Sequence, residues 1–230
     1  MKIAIIPARI GSKRIKKKNI KNFCGKPIIY WPIKQLIKTK IFDKIIVSTD
    51  SAKISKIAKH FGAEVPFLRP KKISDDNTGT SEVVRHSIKF LKSKNINPLY
   101  ICCVYPTAAF LLSKDIKKGF HFLKKNENNY VFSGTSLTSS FYRSFYFKKK
   151  KIKMMFKKNY NLRTQDFKKL YIDIGQFYWA KTTTWMSKHN IFSSNSKIIV
   201  IPKYRSYDID NLEDWITAEK VFKLNEKKKR

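Results

Sequence analysis

The sequence predicts an α/β fold, in which helices cover both faces of a mostly parallel sheet in a three-layer αβα sandwich. The main observation is that short apolar runs alternate along the chain with longer stretches whose apolar residues recur at helical spacing. Because parallel strands need crossover connections, such alternation is typical of βαβ units. The length of 230 residues fits one domain, and an apolar fraction of 42% is sufficient for a core.

The first half of the chain is predicted to contain three strands and three helices. The strands are the apolar runs at residues 2–7, 44–48 and 64–67. Each helix begins at a residue that favours a helix N-terminus, namely Pro27, Ser51, and Thr80 or Ser81. The first helix extends to about Lys40. Gly62 ends the second, because glycine readily adopts the left-handed conformation found after helix C-termini.

The second half continues this alternation with one interruption. Its first elements are a strand at residues 99–105, a helix that Ser113 caps and that reaches Leu123, and a strand at residues 130–133. Residues 141–156 then alternate around four consecutive lysines, as the strands of an antiparallel hairpin would. The last elements are strands at residues 175–180 and 198–201 and a helix from Asn211 to about Leu224. We therefore predict one domain over residues 1–230, with an inserted excursion at about residues 135–172.

The chain carries 50 lysines and arginines against 16 acidic residues, which gives a formal net charge of +34. Such a charge attracts polyphosphates, so a basic nucleic-acid-binding protein is one alternative. However, 42 of the cations are lysine and only 8 are arginine, whereas base readout favours arginine. The sequence also contains no recognised nucleic-acid-binding module. We therefore expect no nucleic-acid partner and interpret the charge as a compositional bias on solvated positions.

The sequence also gives expectations about the compartment. No stretch of 18 apolar residues occurs, so we predict no membrane span. The first apolar run is too short for a signal peptide. The cysteines number three, and Cys102 and Cys103 are adjacent, which argues against a disulfide framework. We expect a reduced, cytoplasmic protein.

The loop after the first strand, residues 8–19, is the most informative segment. Around a small turn at Gly11 and Ser12 it carries four cations, namely Arg9, Lys13, Arg14 and Lys18. Ligands of open α/β sheets bind beyond the carboxyl ends of the strands, so this loop is a candidate site for a di- or triphosphate. It has neither the Walker spacing nor a G-x-G-x-x-G fingerprint. A solvated basic loop in a lysine-rich protein is the alternative.

Residues 7–19, P-A-R-I-G-S-K-R-I-K-K-K-N, resemble the signature P-A-R-G-G-S-K-R-x-x-x-K-N of the CMP-sialate synthetases, or acylneuraminate cytidylyltransferases. Further similar blocks follow in the family's order and cover nearly the whole chain, at residues 23–27, 47–50, 68–70, 74–78, 105–108, 161–166, 175–179 and 204–210. The blocks at residues 161–166 and 176–179 look most like the pseudaminate branch. The resemblance implies a Rossmann-like sheet of the nucleotide-diphospho-sugar transferase type, and it implies that the excursion is a small β-hairpin element for dimerisation.

The reaction that the resemblance implies is transfer of CMP from CTP to a nine-carbon ulosonic acid, with release of diphosphate. Pseudaminic acid is the acceptor implied by the similar branch, for surface glycan or flagellin glycosylation. N-acetylneuraminic or legionaminic acid is the alternative acceptor. The implied cofactor is Mg²⁺, and the implied assembly is a homodimer. A homologue that binds nucleotide with weakened activity is a further alternative.

The family's roles, carried to matching positions, place the triphosphate on the basic loop. Arg9 and Lys13 would hold the β- and γ-phosphates, and Lys18 would lie beside the α-phosphate, where charge develops; these three are the expected catalytic residues. The expected nucleotide-binding residues are Ala8, Gly11, Ser12, Asn19, Asp50, Arg69 and Ser81. Within that set Asn19 would bind the ribose, and Arg69 with Ser81 would recognise the cytosine edge.

Asp208 and Asp210 form an Asp-x-Asp pair near the end of the last predicted strand. Two residues apart in an extended chain, their carboxylates lie on one side, which suits a Mg²⁺ ion shared with phosphate oxygens. The alternative is a capping region for the last helix, because Glu213 and Asp214 follow. Together with the loop signature, the pair predicts a metal site.

The sugar-binding residues that the resemblance implies are Tyr105, Thr107, Arg163, Gln165 and Gln176. Arg163 is the expected partner of the sugar carboxylate, because a guanidinium can bind a carboxylate through two parallel hydrogen bonds. The group that accepts the proton of the sugar hydroxyl stays open between a metal-bound hydroxide and a nearby aspartate.

Two positions depart from the family pattern. Ile10 replaces the first glycine of the Gly-Gly pair, and Ala109 stands where the pseudaminate branch usually has proline. A β-branched residue resists a positive φ. Ile10 is therefore the position at which crowding of the triphosphate and reduced activity are expected.

Overall fold

The computed structural model of the chain describes residues 1–125, 129–187 and 189–227. Its strands are β1 (Lys2–Pro7), β2 (Asn22–Phe23), β3 (Lys26–Pro27), β4 (Lys44–Ser48), β5 (Tyr100–Val104), β6 (Tyr130–Ser136), β7 (Phe145–Lys148), β8 (Lys151–Met154), β9 (Tyr171–Lys181) and β10 (Ser196–Val200). Six of them form a central sheet in the order β10-β6-β9-β5-β1-β4. Neighbouring strands are parallel except at β9, which is antiparallel to both β5 and β6.

Helices cover both faces of this sheet. They are α1 (Tyr30–Thr39), α2 (Ala52–His60), α3 (Thr80–Ser93), α4 (Ser113–Lys125), α5 (Thr182–Met186) and α6 (Leu212–Lys227). Buried residues of α1, α2 and α4 share one core cluster, and those of α3 and α5 share another. The predicted three-layer αβα fold with a mostly parallel sheet is therefore confirmed.

The inner strand β1 shows why the sheet needs helices on both faces. Ile3 and Ile5 lie in the cluster with α3, whereas Ala4 and Ile6 lie in the cluster with α1, and all four side chains are fully buried. Successive side chains of a strand point to opposite faces, so a continuous apolar run needs cover on each side. A third, smaller cluster lies beneath α6.

Three predicted boundaries were wrong. The helix expected from Pro27 begins at Tyr30, because Lys26 and Pro27 pair with β2 instead. Residues 64–67 form no strand of their own; Glu64 makes an isolated bridge, and the next bridge is made by Leu68, just beyond this range. The N-cap of α3 is Gly79 rather than Thr80 or Ser81, and it makes no side-chain capping hydrogen bond.

Residues 137–170 leave the central sheet, within the predicted excursion. They contain the antiparallel hairpin of β7 and β8, with Phe145 opposite Met154 and Phe147 opposite Ile152. Lys149 and Lys150 form its turn with φ of 48° and 62°. A two-residue turn with both φ values positive is typical of a type I′ hairpin. The hairpin was expected around the lysines, and its structure confirms that prediction.

Within the described part of the chain, none of the helices combines the length and the apolar character that crossing a bilayer would need.

Candidate active site

A cavity of about 490 Å³ lies beyond the carboxyl ends of β1 and β5. The basic loop, residues 69–80 and the segment after β5 line it, and its lining residues include Arg9, Ser12, Lys13, Arg14, Lys18, Asn19, Arg69, Asp76, Thr80, Tyr105 and Thr107. The sheet brings these segments together, because β1 and β5 are parallel neighbours that end at the same edge. This is where ligands of open α/β sheets bind.

The basic loop is held in place by two side chains that were expected to bind nucleotide. Asp50 Oδ1 accepts a hydrogen bond from the Ile10 backbone N–H at 3.0 Å, and Asn19 Nδ2 donates to the Arg9 carbonyl at 2.8 Å. Asn19 also lines the cavity, whereas Asp50 is absent from the described lining residues. In this structure Asp50 therefore acts on the loop backbone.

Neither Ile10 nor Gly11 has a positive φ. Ile10 is half-buried and packs against the core cluster on the α1 side. The reason given for crowding at this position, a backbone conformation that a β-branched residue resists, is therefore wrong.

Asp76 forms ion pairs with Arg9 and Lys13, the two cations that were expected to hold the β- and γ-phosphates. Its Oδ1 contacts Arg9 Nη2, and its Oδ2 lies 2.6 Å from Lys13 Nζ. Hydrogen bonds from Lys13 and Arg9 hold the pKa of Asp76 below its ordinary value. The neighbouring Asp75 instead accepts from the Thr78 N–H at 2.8 Å, as a loop cap does. The contact between Asp76 and Arg9 joins residues 67 positions apart, so no local sequence pattern indicates it.

The second cationic group of the loop faces the Asp-x-Asp pair. Lys18 Nζ donates to the Ile209 carbonyl at 2.7 Å and lies 3.6 Å from Asp210 Oδ1. Arg14 Nη1 lies 2.7 Å from Asp210 Oδ2. Burial lowers the pKa of the Lys18 ammonium. The cations of the loop thus lie between the cavity and the carboxylate of Asp210.

The residues around Asp210 form the helix cap that was the alternative interpretation of the Asp-x-Asp motif, and the metal site stays a prediction. Asp214 accepts hydrogen bonds from the N–H groups of Asp210 and Asn211, at 2.9 and 3.0 Å, and Asn211 accepts from the Asp214 N–H. These contacts cap the start of α6 and leave the Asp208 and Asp210 carboxylates out of the cap. Partial burial, and then the charge of Asp210, raise the pKa of Asp208, although the residue still has solvent-exposed surface.

The donor set fits Mg²⁺. Across the described ranges no group of three or more His, Cys, Asp or Glu side chains is arranged to hold a metal. Mg²⁺ in nucleotide sites, however, is commonly bound by one or two carboxylates together with substrate phosphates and water. Asp208 and Asp210, two carboxylates close to the cations Arg14 and Lys18 of the basic loop, meet that requirement.

The residues expected to recognise cytosine line different cavities. Arg69 lines the first cavity, and its buried guanidinium donates through Nε to Ser74 Oγ at 3.0 Å. Ser81 lines a second cavity of about 390 Å³, which shares Thr80 and Tyr105 with the first. The two cavities are therefore contiguous at these shared residues.

Of the expected sugar-binding residues, only Tyr105 and Thr107 line the first cavity. Tyr105 Oη and Thr80 Oγ1 lie 2.7 Å apart, and the Tyr178 hydroxyl donates to Asp173 Oδ2 at 2.6 Å. Burial raises the pKa of both phenols, so each stays a protonated hydrogen-bond donor at neutral pH. Tyr178 and Asp173 belong to the second cavity. Tyr178 is also a buried member of the core cluster on the α3 side, so no local sequence signal marks it as a site residue.

The other three expected sugar-binding residues are not brought to the described lining of either cavity. Gln176 is 2% exposed, and its Nε2 donates to the Arg205 carbonyl at 2.6 Å. Arg163 and Gln165 are exposed on the excursion, where Arg163 Nε lies 3.2 Å from Asp166 Oδ2. The assignment of these three residues as sugar contacts stays a prediction.

A cationic loop that lines a cavity and pairs with the Asp210 carboxylate, at the carboxyl edge of a mostly parallel α/β sheet, is typical of a nucleotide-binding protein. The family model described as Cytidylyltransferase matches residues 3–217. The chain therefore belongs to the cytidylyltransferase family and is a nucleotidyltransferase.

Relatives and solved structures agree with this assignment. The chain is 37% identical over 97% of both sequences to a pseudaminic acid cytidylyltransferase from Campylobacter jejuni subsp. jejuni. It is 29% identical, again over 97% of both, to a CMP-N,N'-diacetyllegionaminic acid synthase from Legionella pneumophila subsp. pneumophila. Among solved structures, CMP:2-keto-3-deoxy-manno-octonic acid synthetase complexed with CTP superposes with a TM-score of 0.73 at 11% identity, covering 99% of each chain. That last similarity supports the fold.

Proposed function

We propose that the chain is a pseudaminic acid cytidylyltransferase, which converts CTP and pseudaminic acid into CMP-pseudaminic acid and diphosphate. The observation that carries this proposal is the 37% identity over 97% of both chains to an enzyme of that name. The cavity gives it a physical basis, because a cluster of fixed cations at a sheet edge is suited to a triphosphate.

The nucleotide would enter over the basic loop. Its β- and γ-phosphates would take the place of the Asp76 carboxylate on Arg9 and Lys13. Lys18, half-buried and directed toward the Ile209 carbonyl, would lie near the α-phosphorus that the sugar hydroxyl attacks. Nucleotidyl transfer depends largely on positioning and on neutralising phosphate charge, and these cations supply both.

Asp208 and Asp210 would hold the Mg²⁺ ion, which supplies charge neutralisation at the phosphate oxygens when bound. In the structure Arg14 and Lys18 neutralise Asp210. Metal and nucleotide binding would therefore be coupled, since the triphosphate offers the same two cations another anionic partner.

Two broader expectations accompany the reaction. A homodimer would form through the hairpin of the excursion, where Phe145 and Phe147 expose a face to solvent together with Ile152 of the facing strand. A cytoplasmic location would provide CTP and agrees with the three free cysteines.

The direct test is release of diphosphate from CTP and Mg²⁺, with pseudaminic acid and N-acetylneuraminic acid supplied in separate reactions. Release with pseudaminic acid alone supports the proposal, and UTP and an EDTA-treated sample serve as controls. Release only with N-acetylneuraminic acid would retain the chemistry and reject the acceptor. No release with any of these sugars, from a folded protein that binds CTP, would reject the proposal.

A further inference from the structure

A buried network fixes the segment that carries Asp208 and Asp210. Its centre is Arg205, a buried residue at the end of a single 3-10 turn, Lys203–Arg205, between β10 and α6. Arg205 Nη1 lies 2.6 Å from Asp115 Oδ2, and Nη2 lies 3.4 Å from Asp115 Oδ1. Asp115 is itself buried, in the first turn of α4. The guanidinium therefore anchors the turn to a helix of the core.

Further contacts fix the backbone on either side of this anchor. The Arg205 carbonyl accepts the 2.6 Å hydrogen bond from Gln176 Nε2 on β9. The ring of Tyr207 packs on Phe110 with centroids 5.2 Å apart. Ile209, between the two aspartates, is buried, and its carbonyl accepts from Lys18. Both aspartates thus project from a segment whose alternate residues are held by the core.

Stability alone gives a poor account of the Arg205–Asp115 pair. A buried ion pair is often no more stabilising than apolar residues of similar volume, because both charges lose their hydration. The pair does fix the orientation of the Arg205 side chain, since a guanidinium in contact with both carboxylate oxygens has a defined orientation. The same holds for Gln176, whose amide hydrogen bond specifies the position of one carbonyl.

We propose that Arg205, Asp115 and Gln176 are positioning residues, which place the Asp208 and Asp210 carboxylates for binding Mg²⁺. The proposal rests on the proposed function and gives Gln176 a role other than contact with the sugar. Groups that orient metal ligands contribute about 10- to 100-fold to metal affinity in proteins. An effect of that size is expected here.

The test replaces the ion pair with apolar residues in the full chain, as Asp115→Leu with Arg205→Met. Mn²⁺ binding in the presence of CTP is followed by electron paramagnetic resonance, without acceptor sugar. We expect a folded protein whose Mn²⁺ affinity falls about 10- to 100-fold. In turnover assays, the Mg²⁺ concentration for half-maximal rate should rise by a similar factor, while kcat recovers at saturating Mg²⁺.

A second variant, Gln176→Met, covers the case in which the double variant does not fold, because it keeps the ion pair and removes one hydrogen bond. The matched control is Leu91→Ala on α3, a buried apolar residue in the other core cluster. It should lower the Tm and leave Mn²⁺ affinity unchanged.

Wild-type Mn²⁺ affinity in a folded double variant or in Gln176→Met would overturn the positioning role and leave the proposed function intact. If the wild-type protein with CTP binds no Mn²⁺, the metal role of Asp208 and Asp210 is itself rejected, and the positioning proposal with it.

Discussion

At the level of single residues, Asp76 couples the loop at residues 74–79 to the basic loop at residues 8–19. Its carboxylate contacts Arg9 and Lys13, so a polyphosphate that binds these cations has to displace it. The exchange replaces one anion with a more highly charged one. The side chains are substantially exposed, so solvent screening keeps the competing contact modest.

We expect Asp76→Asn to lower the KM for CTP about 2- to 5-fold, because exposed ion pairs contribute up to about 1 kcal/mol. Initial rates at varied CTP and low ionic strength measure the change. Asp75→Asn is the matched control, since Asp75 accepts a hydrogen bond from the Thr78 N–H and forms no ion pair with the basic loop in the described structure. An unchanged or higher KM in Asp76→Asn would show that Asp76 does not compete with the nucleotide.

The Asp208 carboxylate should lower the stability of the fold at neutral pH while being required for activity. Its pKa is raised in the folded chain, mainly by burial and by Asp210, so folding disfavours its charged form. This destabilisation is present at neutral pH and disappears as the pH falls through the raised pKa. We expect Asp208→Asn to raise the Tm at pH 7, to lose that gain toward about pH 4, and to abolish metal-dependent turnover.

Thermal unfolding across this pH range provides the measurement, and Asp43→Asn is a control of opposite sign. The hydrogen bond from the Lys2 N–H lowers the pKa of Asp43, so its ionised form stabilises the fold at neutral pH. Asp43→Asn should therefore lower the Tm at pH 7. A lower Tm in Asp208→Asn at pH 7 would contradict the argument for Asp208.

Ile10 was expected to crowd the triphosphate because a β-branched residue resists a positive φ, and the structure contradicts that reason. Since its φ is not positive and its side chain packs on the core, Ile10→Gly should reduce the free energy of unfolding by about 1–3 kcal/mol. Turnover per folded molecule should not increase. Denaturant titration and kcat provide the readouts, with Ile10→Val as the conservative control. An increased kcat would restore the crowding hypothesis.

At the level of elements, the turn between β7 and β8 carries a local conformational cost. Lys149 and Lys150 both have positive φ, which costs a non-glycine residue about 1 kcal/mol or more. Lys149→Asn with Lys150→Gly supplies the residues that a type I′ turn prefers.

We expect this double variant to stabilise the hairpin by about 1 kcal/mol and to slow amide hydrogen exchange in β7 and β8. Lys148→Asn with Lys151→Gly, at the strand positions that flank the turn, should have the opposite effect. Equal exchange rates in the turn variant and the wild type would contradict the assigned turn geometry.

The sequence predicts an element well when the interactions that form it are local in sequence. Apolar runs and the cap at Ser51, whose Oγ accepts from the Ile54 N–H, are local signals and were correctly interpreted. The direction of β9 is not encoded in its own residues, because alternation is the same in parallel and antiparallel strands. Pro27 favoured a helix start, and its pairing with Asn22 across a turn prevailed instead.

The whole molecule exposes an apolar surface on the excursion. Phe145 and Phe147 lie on one face of the hairpin, opposite Met154 and Ile152, while lysines occupy the other face at Lys151 and Lys153. Phe147 is 78% exposed and Ile152 is 64% exposed. An apolar patch of this kind commonly marks an interface between proteins.

We expect Phe147→Asp with Ile152→Asp to convert the proposed homodimer into monomers, because charge is strongly unfavourable in the core of an interface. Analytical ultracentrifugation gives the mass. Lys151→Asp with Lys153→Asp, a control on the opposite face, should remain dimeric. A monomeric wild-type protein, or a dimeric Phe147/Ile152 variant, would reject the hairpin as the dimer interface.

The candidate site was predictable where it is contiguous in sequence. Arg9, Ser12, Lys13, Lys18 and Asn19 all line the cavity, as the loop signature indicated. Long-range contacts were not predictable, because they depend on how separate segments pack. The hydrogen bond from Gln176 to the Arg205 carbonyl is one such contact, and the ion pair of Asp76 with Arg9 of the basic loop is another.

The antiparallel strand β9 has a consequence for the order in which the chain can assemble. It lies between β5 and β6 and is the element that joins β1, β4 and β5 to β6 and β10. Before residues 171–181 are synthesised, β5 and β6 each have one edge that lacks its pairing partner β9. Such edges invite pairing with other chains. Closure of the sheet therefore waits until residue 181 has been synthesised, and the folding intermediates formed before then are exposed to aggregation.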